Sequence, residues 1–110
     1  LLKVTSNFLK KTGLDDPSKK VLEIGCGMAY LCQVHPNYFG AEYSRTAVDL
    51  VKQCEKGRVK IYEEDAQKLT FDDFSFDGIF TFAALEHVPD PNKALQEVDR
   101  GRVCTYCPCL

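Results

Sequence analysis

The stretch Val21-Leu22-Glu23-Ile24-Gly25-Cys26-Gly27-Met28-Ala29-Tyr30 decides how the rest of the chain is interpreted. A short, mostly apolar run ends on two glycines that are one residue apart, a pattern typical of a buried strand that turns directly into a helix. Glycine lacks a Cβ and tolerates positive φ, so a ligand can approach the backbone of such a turn closely. The stretch therefore predicts a strand over residues 21–24 and a ligand-binding turn at Gly25 and Gly27.

Length and charge limit the class of protein. The chain has 110 residues with a net charge of −2, as expected for one small domain. Its basic residues are balanced by acids and form no basic run, which argues against nucleic-acid binding. The longest apolar run, near residues 78–85, is well short of the ~18 residues of a membrane span, and no charged leader precedes an apolar segment. We therefore expect a cytoplasmic protein with no nucleic-acid or membrane partner.

Six cysteines could form the disulfide framework of a small secreted domain. Three of them lie in segments that we predict to be regular secondary structure, where a free cysteine packs as a small hydrophobic residue. The other three crowd into the last seven residues, and a closed zinc site would need four ligands. We predict free cysteines and no metal site, and we interpret residues 101–110 as an atypical Cys-rich tail. The six are Cys26, Cys32, Cys54, Cys104, Cys107 and Cys109.

The hydrophobic pattern predicts alternating helices and strands. Ser44 and Asp90 are the expected N-caps of two helices, and Gly13 the left-handed C-cap of the first. The predicted helices are residues 1–12, 30–34, 45–56 and 91–100, and the predicted strands are residues 21–24, 38–43, 59–63 and 76–82, with a loop over 69–75. The predicted inward-facing residues are Leu1, Val4, Phe8 and Leu9, then Ala47, Leu50, Val51 and Cys54, and finally Ala94, Leu95 and Val98. This alternation predicts an α/β fold whose parallel strands place a ligand at their carboxyl ends.

Acidic residues stand where three of these strands end. Glu42 can accept hydrogen bonds from the two hydroxyls of a ribose. Asp65 can accept a hydrogen bond from the exocyclic amine of adenine, while the N–H of Ala66 donates one to a ring nitrogen. Glu23, just before the glycine turn, would repel a phosphate and attract an ammonium group. These residues predict a pocket for an adenosine that carries an amino-acid or cationic group at its 5′ end.

The glycine pattern itself is incomplete for a dinucleotide. A dinucleotide turn reads G-x-G-x-x-G, whereas this chain has Tyr30 at the last glycine position. A nicotinamide dinucleotide enzyme therefore remains an alternative that Glu23 and the absent glycine disfavour.

Four motifs in order resemble the class I S-adenosylmethionine-dependent methyltransferases, in particular the broad small-molecule methyltransferase 11 type. The resemblance covers roughly residues 19–100 and breaks off after the fourth predicted strand and its helix. The motifs are Val21-Leu22-Glu23-Ile24-Gly25-Cys26-Gly27, Gly40-Ala41-Glu42-Tyr43-Ser44, Glu64-Asp65-Ala66 with Leu69 and Phe71, and Phe76-Asp77-Gly78-Ile79 followed by Leu85-Glu86-His87-Val88-Pro89-Asp90-Pro91.

The resemblance implies a Rossmann-like, doubly wound parallel sheet, incomplete at about four strands with flanking helices. Residues 1–100 would be the N-terminal, cofactor-binding part of a methyltransferase domain. The cofactor would be S-adenosyl-L-methionine, with its methionine part over the glycine turn, and the methyl group would pass to an unidentified small-molecule acceptor. Catalysis would consist mainly of positioning the reactants and excluding water. The implied cofactor-binding residues are Glu23, Gly25, Gly27, Glu42, Tyr43, Asp65, Ala66 and Phe82.

Three positions bear on the chemistry. Ala29 stands where the family usually has a third glycine. His87 is the candidate general base, although packing before Pro89 is the more ordinary role for it. Some quinone-pathway O-methyltransferases hold a metal with a glutamate and histidine like Glu86 and His87 and an upstream glutamate, but this chain has Ala83 there. We therefore expect no metal.

The sequence departs from the family after Arg100. The fourth strand is expected to lie at an open sheet edge with Ile79, Phe80 and Phe82 uncovered, which predicts marginal folding or self-association through that edge. A non-catalytic truncated isoform or interaction module that keeps the fold is the main alternative to an enzyme. His35, beside a proline, is expected to be exposed.

Overall fold

The computed structural model describes residues 2–82 and 84–101. Helices and strands alternate as the hydrophobic pattern predicts, with boundaries that differ from the predicted ones by one or two residues. The elements are helix α1 (Leu2–Thr12), strand β1 (Val21–Ile24), a 3₁₀ helix (Tyr30–Val34), β2 (Tyr38–Glu42), α2 (Arg45–Cys54), β3 (Lys60–Glu63), β4 (Gly78–Thr81), a second 3₁₀ helix (Leu85–His87) and α3 (Pro91–Gly101).

The four strands form one parallel sheet in the order β3-β2-β1-β4. Val21, the first residue of β1, pairs with Tyr38 of β2 on one side and with Gly78 of β4 on the other. All four residues of β1 and of β4 are buried, as expected for parallel strands that are covered on both faces. The predicted Rossmann-like α/β sheet is confirmed.

Two apolar cores cover the two faces of the sheet. Successive residues of a strand point to opposite faces, so Val21 and Leu22 of β1 belong to different cores, as do Ile79 and Phe80 of β4. The α1/α2 core contains Leu9, Leu14, Val21, Cys26, Ala29, Leu31, Tyr38, Val48, Val51, Ile61 and Phe80. The α3 core contains Leu22, Ile24, Ala41, Leu69, Phe76, Ile79 and Val98.

The predicted inward face of α1 is confirmed at Leu9, which is buried, and at Phe8, which packs against the same core, but it is wrong at Val4, which is exposed. The buried residues Thr5 and Leu9 lie one turn apart on the same side of the helix. Burial of Leu9 in the α1/α2 core therefore brings the threonine methyl inward with it. Leu1, which was assigned to the same face, lies outside the described residues.

The predicted faces of the other two helices are confirmed in part. In α2, Val51 is buried as predicted, but so is Val48, while Leu50 and Cys54 are exposed. In α3, Ala94 and Val98 are buried as predicted, and Leu95 is exposed although we expected it to face inward. Because the strands are only four or five residues long, the sheet offers each helix a narrow surface. Each helix therefore buries a single row of side chains.

The caps of the helices follow the prediction. The Ser44 hydroxyl accepts a hydrogen bond from the Ala47 N–H at 3.2 Å, and Asp90 Oδ1 accepts one from the Lys93 N–H at 3.2 Å. Gly13 after α1 has a φ of 75°, the left-handed conformation that a C-cap requires.

Strand β4 lies at an edge of the sheet, as expected, but its large side chains are covered. Ile79 and Phe80 are each 1% exposed. Ile79 belongs to the α3 core with Val98, Phe80 belongs to the α1/α2 core with Leu14, and Phe82 is half-buried with its ring 5.9 Å from that of Phe80. The expectation that Ile79 and Phe80 are uncovered is therefore wrong, since all four residues of the strand are buried.

His35 is buried, although we expected it to be exposed. Its Nδ1 accepts a hydrogen bond from the Asn37 N–H at 2.9 Å, and its Nε2 lies 3.1 Å from the Asp16 carbonyl oxygen. Since an amide can only donate and a carbonyl can only accept, the ring carries its proton on Nε2. The histidine thus joins the turn before β1 to the start of β2.

Arg100 fastens the loop between β3 and β4 to α3. Its guanidinium donates to the carbonyl oxygens of Leu69 and Phe71 at 3.0 and 2.6 Å. It also forms ion pairs with Asp73 at 2.8 Å and with Glu97 at 3.0 Å. These bonds hold in place a loop that has no helix or strand of its own.

The cysteine prediction is confirmed for the part that can be described. Cys26 is buried, Cys32 half-buried and Cys54 exposed, and all three are free. Cys104, Cys107 and Cys109 lie outside the described residues, as does the predicted tail except Gly101, which ends α3. Within the described residues, no helix is long and apolar enough to cross a membrane.

One carboxylate is buried inside the sheet. Glu23 of β1 is 5% exposed, and the Tyr38 hydroxyl donates a hydrogen bond to its Oε1 at 2.5 Å. The pKa of Glu23 is raised to about 7: burial raises it most, the bond from Tyr38 opposes this shift, and the nearby charge of Glu42 adds to it. Burial also raises the pKa of the neighbouring Cys26 thiol to about 12, so the thiol stays protonated.

The pKa of Glu23 predicts that stability falls as pH rises. The folded chain keeps the proton of Glu23 up to about pH 7, whereas the unfolded chain loses it near pH 4.5, so ionisation above pH 4.5 favours unfolding. We expect the unfolding free energy to drop by up to about 3 kcal/mol between pH 5 and pH 8. Urea denaturation across this range should show the drop, and Glu23→Gln should remove most of it, whereas the exposed Glu63→Gln should leave it. An unchanged pH slope in Glu23→Gln would contradict the assignment.

The glycine turn predicts that alanine destabilises the fold more at Gly25 than at Gly13. Gly25 and Gly13 have nearly the same left-handed φ, 71° and 75°, but a Cβ at Gly25 would overlap the Ala84 methyl group, whereas one at Gly13 meets nothing within 4 Å. Alanine at either position costs about 1–2 kcal/mol for the backbone, and Gly25→Ala should cost about 1–3 kcal/mol more for the overlap. Equal losses for Gly25→Ala and Gly13→Ala in urea denaturation would show that the turn does not pack against Ala84.

Candidate functional site

A cavity of about 450 Å³ opens at the carboxyl ends of the strands. It is lined by residues 24–25, 41–43, 64–67, 82, 84 and 87–89. This is the position expected for a ligand in a parallel α/β sheet. Most of the predicted site residues line it, namely Gly25, Glu42, Tyr43, Asp65, Ala66, Phe82 and His87.

The glycine turn is built from left-handed residues in alternation. Gly25, Gly27 and Ala29 have φ values of 71°, 54° and 58°. The N–H groups of Gly25 and Cys26 both donate to the Ala41 carbonyl oxygen, at 2.8 and 3.2 Å, which fastens the turn to β2. The position of the missing third glycine therefore requires a left-handed backbone, which Ala29 adopts at an energetic cost.

Glu42 joins this turn to the start of α2. Its Oε1 accepts a hydrogen bond from the Gly27 N–H at 2.9 Å, and its Oε2 accepts one from the Ser44 N–H at 2.7 Å. The two bonds fix the carboxylate at the cavity wall. Each oxygen keeps a further lone pair, so the carboxylate can still accept two hydroxyl groups of a ligand. Gly27 does not line the cavity, and its contribution is this bond.

Glu23 does not line the cavity: its buried side chain accepts a hydrogen bond from Tyr38. The physical reason is its place in β1, where all four side chains are buried and the next strand supplies a hydroxyl donor. The expected contact with the ligand's ammonium group, directly or through water, stays a prediction.

The far end of the cavity contains residues that sequence reasoning missed. Gln67 lines the cavity and donates to Asp65 Oδ1 from its backbone N–H at 2.9 Å and from its side-chain amide at 3.3 Å. An aspartate that accepts a hydrogen bond from the N–H two residues on is a recognisable turn, so this spacing could have pointed to Gln67. Glu64 also lines the cavity, is buried, and accepts hydrogen bonds from the N–H and the hydroxyl of Thr70.

The remaining wall comes from the segment before α3. Phe82, Ala84, His87, Val88 and Pro89 form it. The His87 side chain is 80% exposed, with its Nε2 3.4 Å from Glu86 Oε1. Ala83, the position at which some relatives have a metal-binding glutamate, lies outside the described residues. No group of three or more potential metal ligands occurs among the residues that the structure describes.

The charges of the wall restrict the ligand. Three carboxylates, those of Glu42, Glu64 and Asp65, line the cavity, and among the described lining residues there is no lysine or arginine. Such a wall disfavours phosphate and accepts hydroxyl, amino and cationic groups. Its apolar part, which includes Phe82 and Val88, can cover a flat ring.

Comparisons with known proteins agree with this geometry. The model of one family, described as a methyltransferase domain (methyltransferase 11), matches residues 22–101. Norajmaline N-methyltransferase from Rauvolfia serpentina is 32% identical over 99 residues, covering 78% of this chain and 34% of that protein. A ubiquinone biosynthesis O-methyltransferase from Coxiella burnetii is 33% identical over 85 residues, covering 71% of this chain and 36% of that protein. The chain thus spans about a third of the length of these relatives.

A solved structure shows the same fold. The YcgJ protein from Bacillus subtilis superposes with a TM-score of 0.77 and 27% sequence identity, over 91% of this chain and 46% of that protein. Because the family model matches residues 22–101, this chain belongs to the methyltransferase 11 family of methyltransferase domains.

Proposed function

We propose that this chain is the cofactor-binding portion of an S-adenosyl-L-methionine-dependent methyltransferase that acts on a small-molecule acceptor. The observation that supports this most directly is the Glu42 carboxylate, held by Gly27 and Ser44 at the wall of a cavity with no lysine or arginine among its described lining residues. A ribose needs such an acceptor, and a sulfonium cofactor is attracted where a dinucleotide phosphate is repelled.

The residues present fit the cofactor. Gly25 lines the cavity where the backbone turns, so the methionine part would lie against this turn. Glu42 would accept the ribose hydroxyls, and Asp65 with the N–H of Ala66 would recognise adenine. Tyr43 and Phe82 flank the same cavity and would cover the ring and the cofactor's other side. The cavity volume of about 450 Å³ is within the range of small-molecule sites.

Glu23 would act from beneath the turn. Its buried carboxylate accepts a hydrogen bond from Tyr38. It would stabilise a cationic group of the cofactor electrostatically or through a bridging water. With a pKa of about 7, it carries only part of its charge at neutral pH.

The bound cofactor supplies an electrophilic methyl group on sulfur. The chain's own residues would fix the two ends of the adenosine and exclude water from its apolar side, so that an acceptor meets the methyl group in line. His87 lines the wall before α3 and would take a proton from an acceptor that must lose one. Its exposure lets it exchange that proton with solvent.

The acceptor's chemical class remains open within this proposal. The names of the two relatives describe transfer to nitrogen in one and to oxygen in the other. Both names denote enzymes of small molecules or their biosynthesis, which supports a small-molecule acceptor here. A non-catalytic module that keeps the fold is the alternative, and no feature of the described residues favours it.

Replacing Glu42 should weaken cofactor binding. Glu42→Gln keeps the size of the side chain but loses the charge-assisted bonds to the two ribose hydroxyls, for which we expect a loss of about 10- to 100-fold in affinity for S-adenosylhomocysteine. Isothermal titration calorimetry with the folded chain measures this loss.

Glu63→Gln is the matched control. Glu63 ends the neighbouring strand, pairs with Arg45 at 3.2 Å and does not line the cavity, so its replacement should leave the affinity unchanged. Absence of heat with both S-adenosylmethionine and S-adenosylhomocysteine in the folded wild-type chain would overturn the proposed function.

A further inference from the structure

Gln67 connects two walls of the cavity through one amide group. Its Nε2 donates to Asp65 Oδ1 at 3.3 Å, and its Oε1 accepts a hydrogen bond from the Asp90 N–H at 3.1 Å. A carboxylate oxygen can only accept and a backbone N–H can only donate, so these partners fix which end of the amide is nitrogen and which is oxygen. Gln67 therefore spans from the turn after β3 to the residue before α3.

The Asp65 side chain is held in one orientation by this contact. Its Oδ1 receives two hydrogen bonds from Gln67, one from the backbone N–H and one from the side-chain amide. Its Oδ2 accepts no hydrogen bond from the residues that the structure describes, and Asp65 lines the cavity. One carboxylate oxygen is thus occupied, and the other remains available to a ligand.

The second contact reaches the segment that carries the candidate base. Asp90 caps α3 through its side chain, so its backbone N–H is at a fixed point of the helix start. Residues 87–89, which immediately precede it, line the same cavity. The hydrogen bond from the Asp90 N–H to Gln67 therefore joins the turn that contains Asp65 to the segment that contains His87.

We propose that Gln67 is a positioning residue for recognition of a 6-aminopurine ring. It holds Asp65 with Oδ2 free to accept the amino group, and it ties this end of the site to the segment that contains His87. This inference rests on the proposed function, because it takes the adenine of the cofactor as the ligand at Asp65. A 6-oxopurine would present a carbonyl oxygen to the same carboxylate and would be repelled.

Only a side chain that donates and accepts at this length can make both contacts. Methionine has nearly the same length and makes neither contact. A glutamate at this position can accept from Asp90 but, while ionised, repels Asp65; once protonated it can donate to Asp65 as the amide does. The two substitutions therefore separate a positioning role from a role in stability.

The test compares S-adenosylhomocysteine with S-inosylhomocysteine, which carries oxygen in place of the 6-amino group. Calorimetry on the full chain gives the ratio of their dissociation constants. We expect the wild type to prefer the adenosyl ligand by at least about tenfold, and Gln67→Met to lower this preference at least about threefold. Gln53→Met, on the exposed side of α2 and outside the cavity, should match the wild type.

Gln67→Glu gives an independent readout through pH. Relative to the wild type at the same pH, its affinity for S-adenosylhomocysteine should be about tenfold lower at pH 8 and should recover towards pH 5, as the introduced carboxyl group beside Asp65 gains a proton. A purely structural role would not produce this recovery.

The outcomes are distinct. A wild-type chain that binds neither ligand overturns the proposed function, and the inference with it. A wild type that prefers the adenosyl ligand, together with an unchanged preference in Gln67→Met or a pH-independent loss in Gln67→Glu, overturns the role of Gln67 alone. If Gln67→Met does not fold, as judged by circular dichroism, the pH series of Gln67→Glu decides the question.

Discussion

The bonds from Gly27 and Ser44 to the two oxygens of Glu42 hold the site together. They join the turn after β1 to the start of α2, the two places where the backbone leaves the sheet towards the ligand. The turn can present its N–H to Glu42 only because Gly25, Gly27 and Ala29 all adopt left-handed conformations. A carboxylate that is already oriented by two backbone donors loses little freedom on binding, and this preorganisation is what suits it to a ribose.

A second acid near the same turn has a different environment. Glu42 is half-buried and accepts hydrogen bonds from two backbone N–H groups, whereas Glu23 is buried and accepts one from a hydroxyl group. Burial raises the pKa of Glu23 to about 7. Both acids stand near the glycines in the sequence, but Glu42 lines the cavity and Glu23 does not, and the buried charge of Glu23 is costly to the fold.

The sequence predicted the architecture because local signals were strong. The apolar runs, the caps at Ser44 and Asp90, and the glycine turn each specify a boundary without reference to the rest of the chain. The helix faces were wrong at Val4, Leu50 and Leu95, because the choice between adjacent apolar residues depends on where the helix meets the sheet. Gln67 was missed for a related reason: its partner Asp90 is 23 residues away, and only the folded chain brings them together.

The chain spans about a third of its relatives' length, and its described residues place three carboxylates, those of Glu42, Glu64 and Asp65, at the wall of one cavity. The central claim is that this wall binds the nucleoside of S-adenosylmethionine. A crystal structure of the chain with S-adenosylhomocysteine tests it most directly. The account predicts both ribose hydroxyls within hydrogen-bond distance of Glu42 and the 6-amino group at Asp65 Oδ2; a ligand seated elsewhere, or with its ribose away from Glu42, would contradict it.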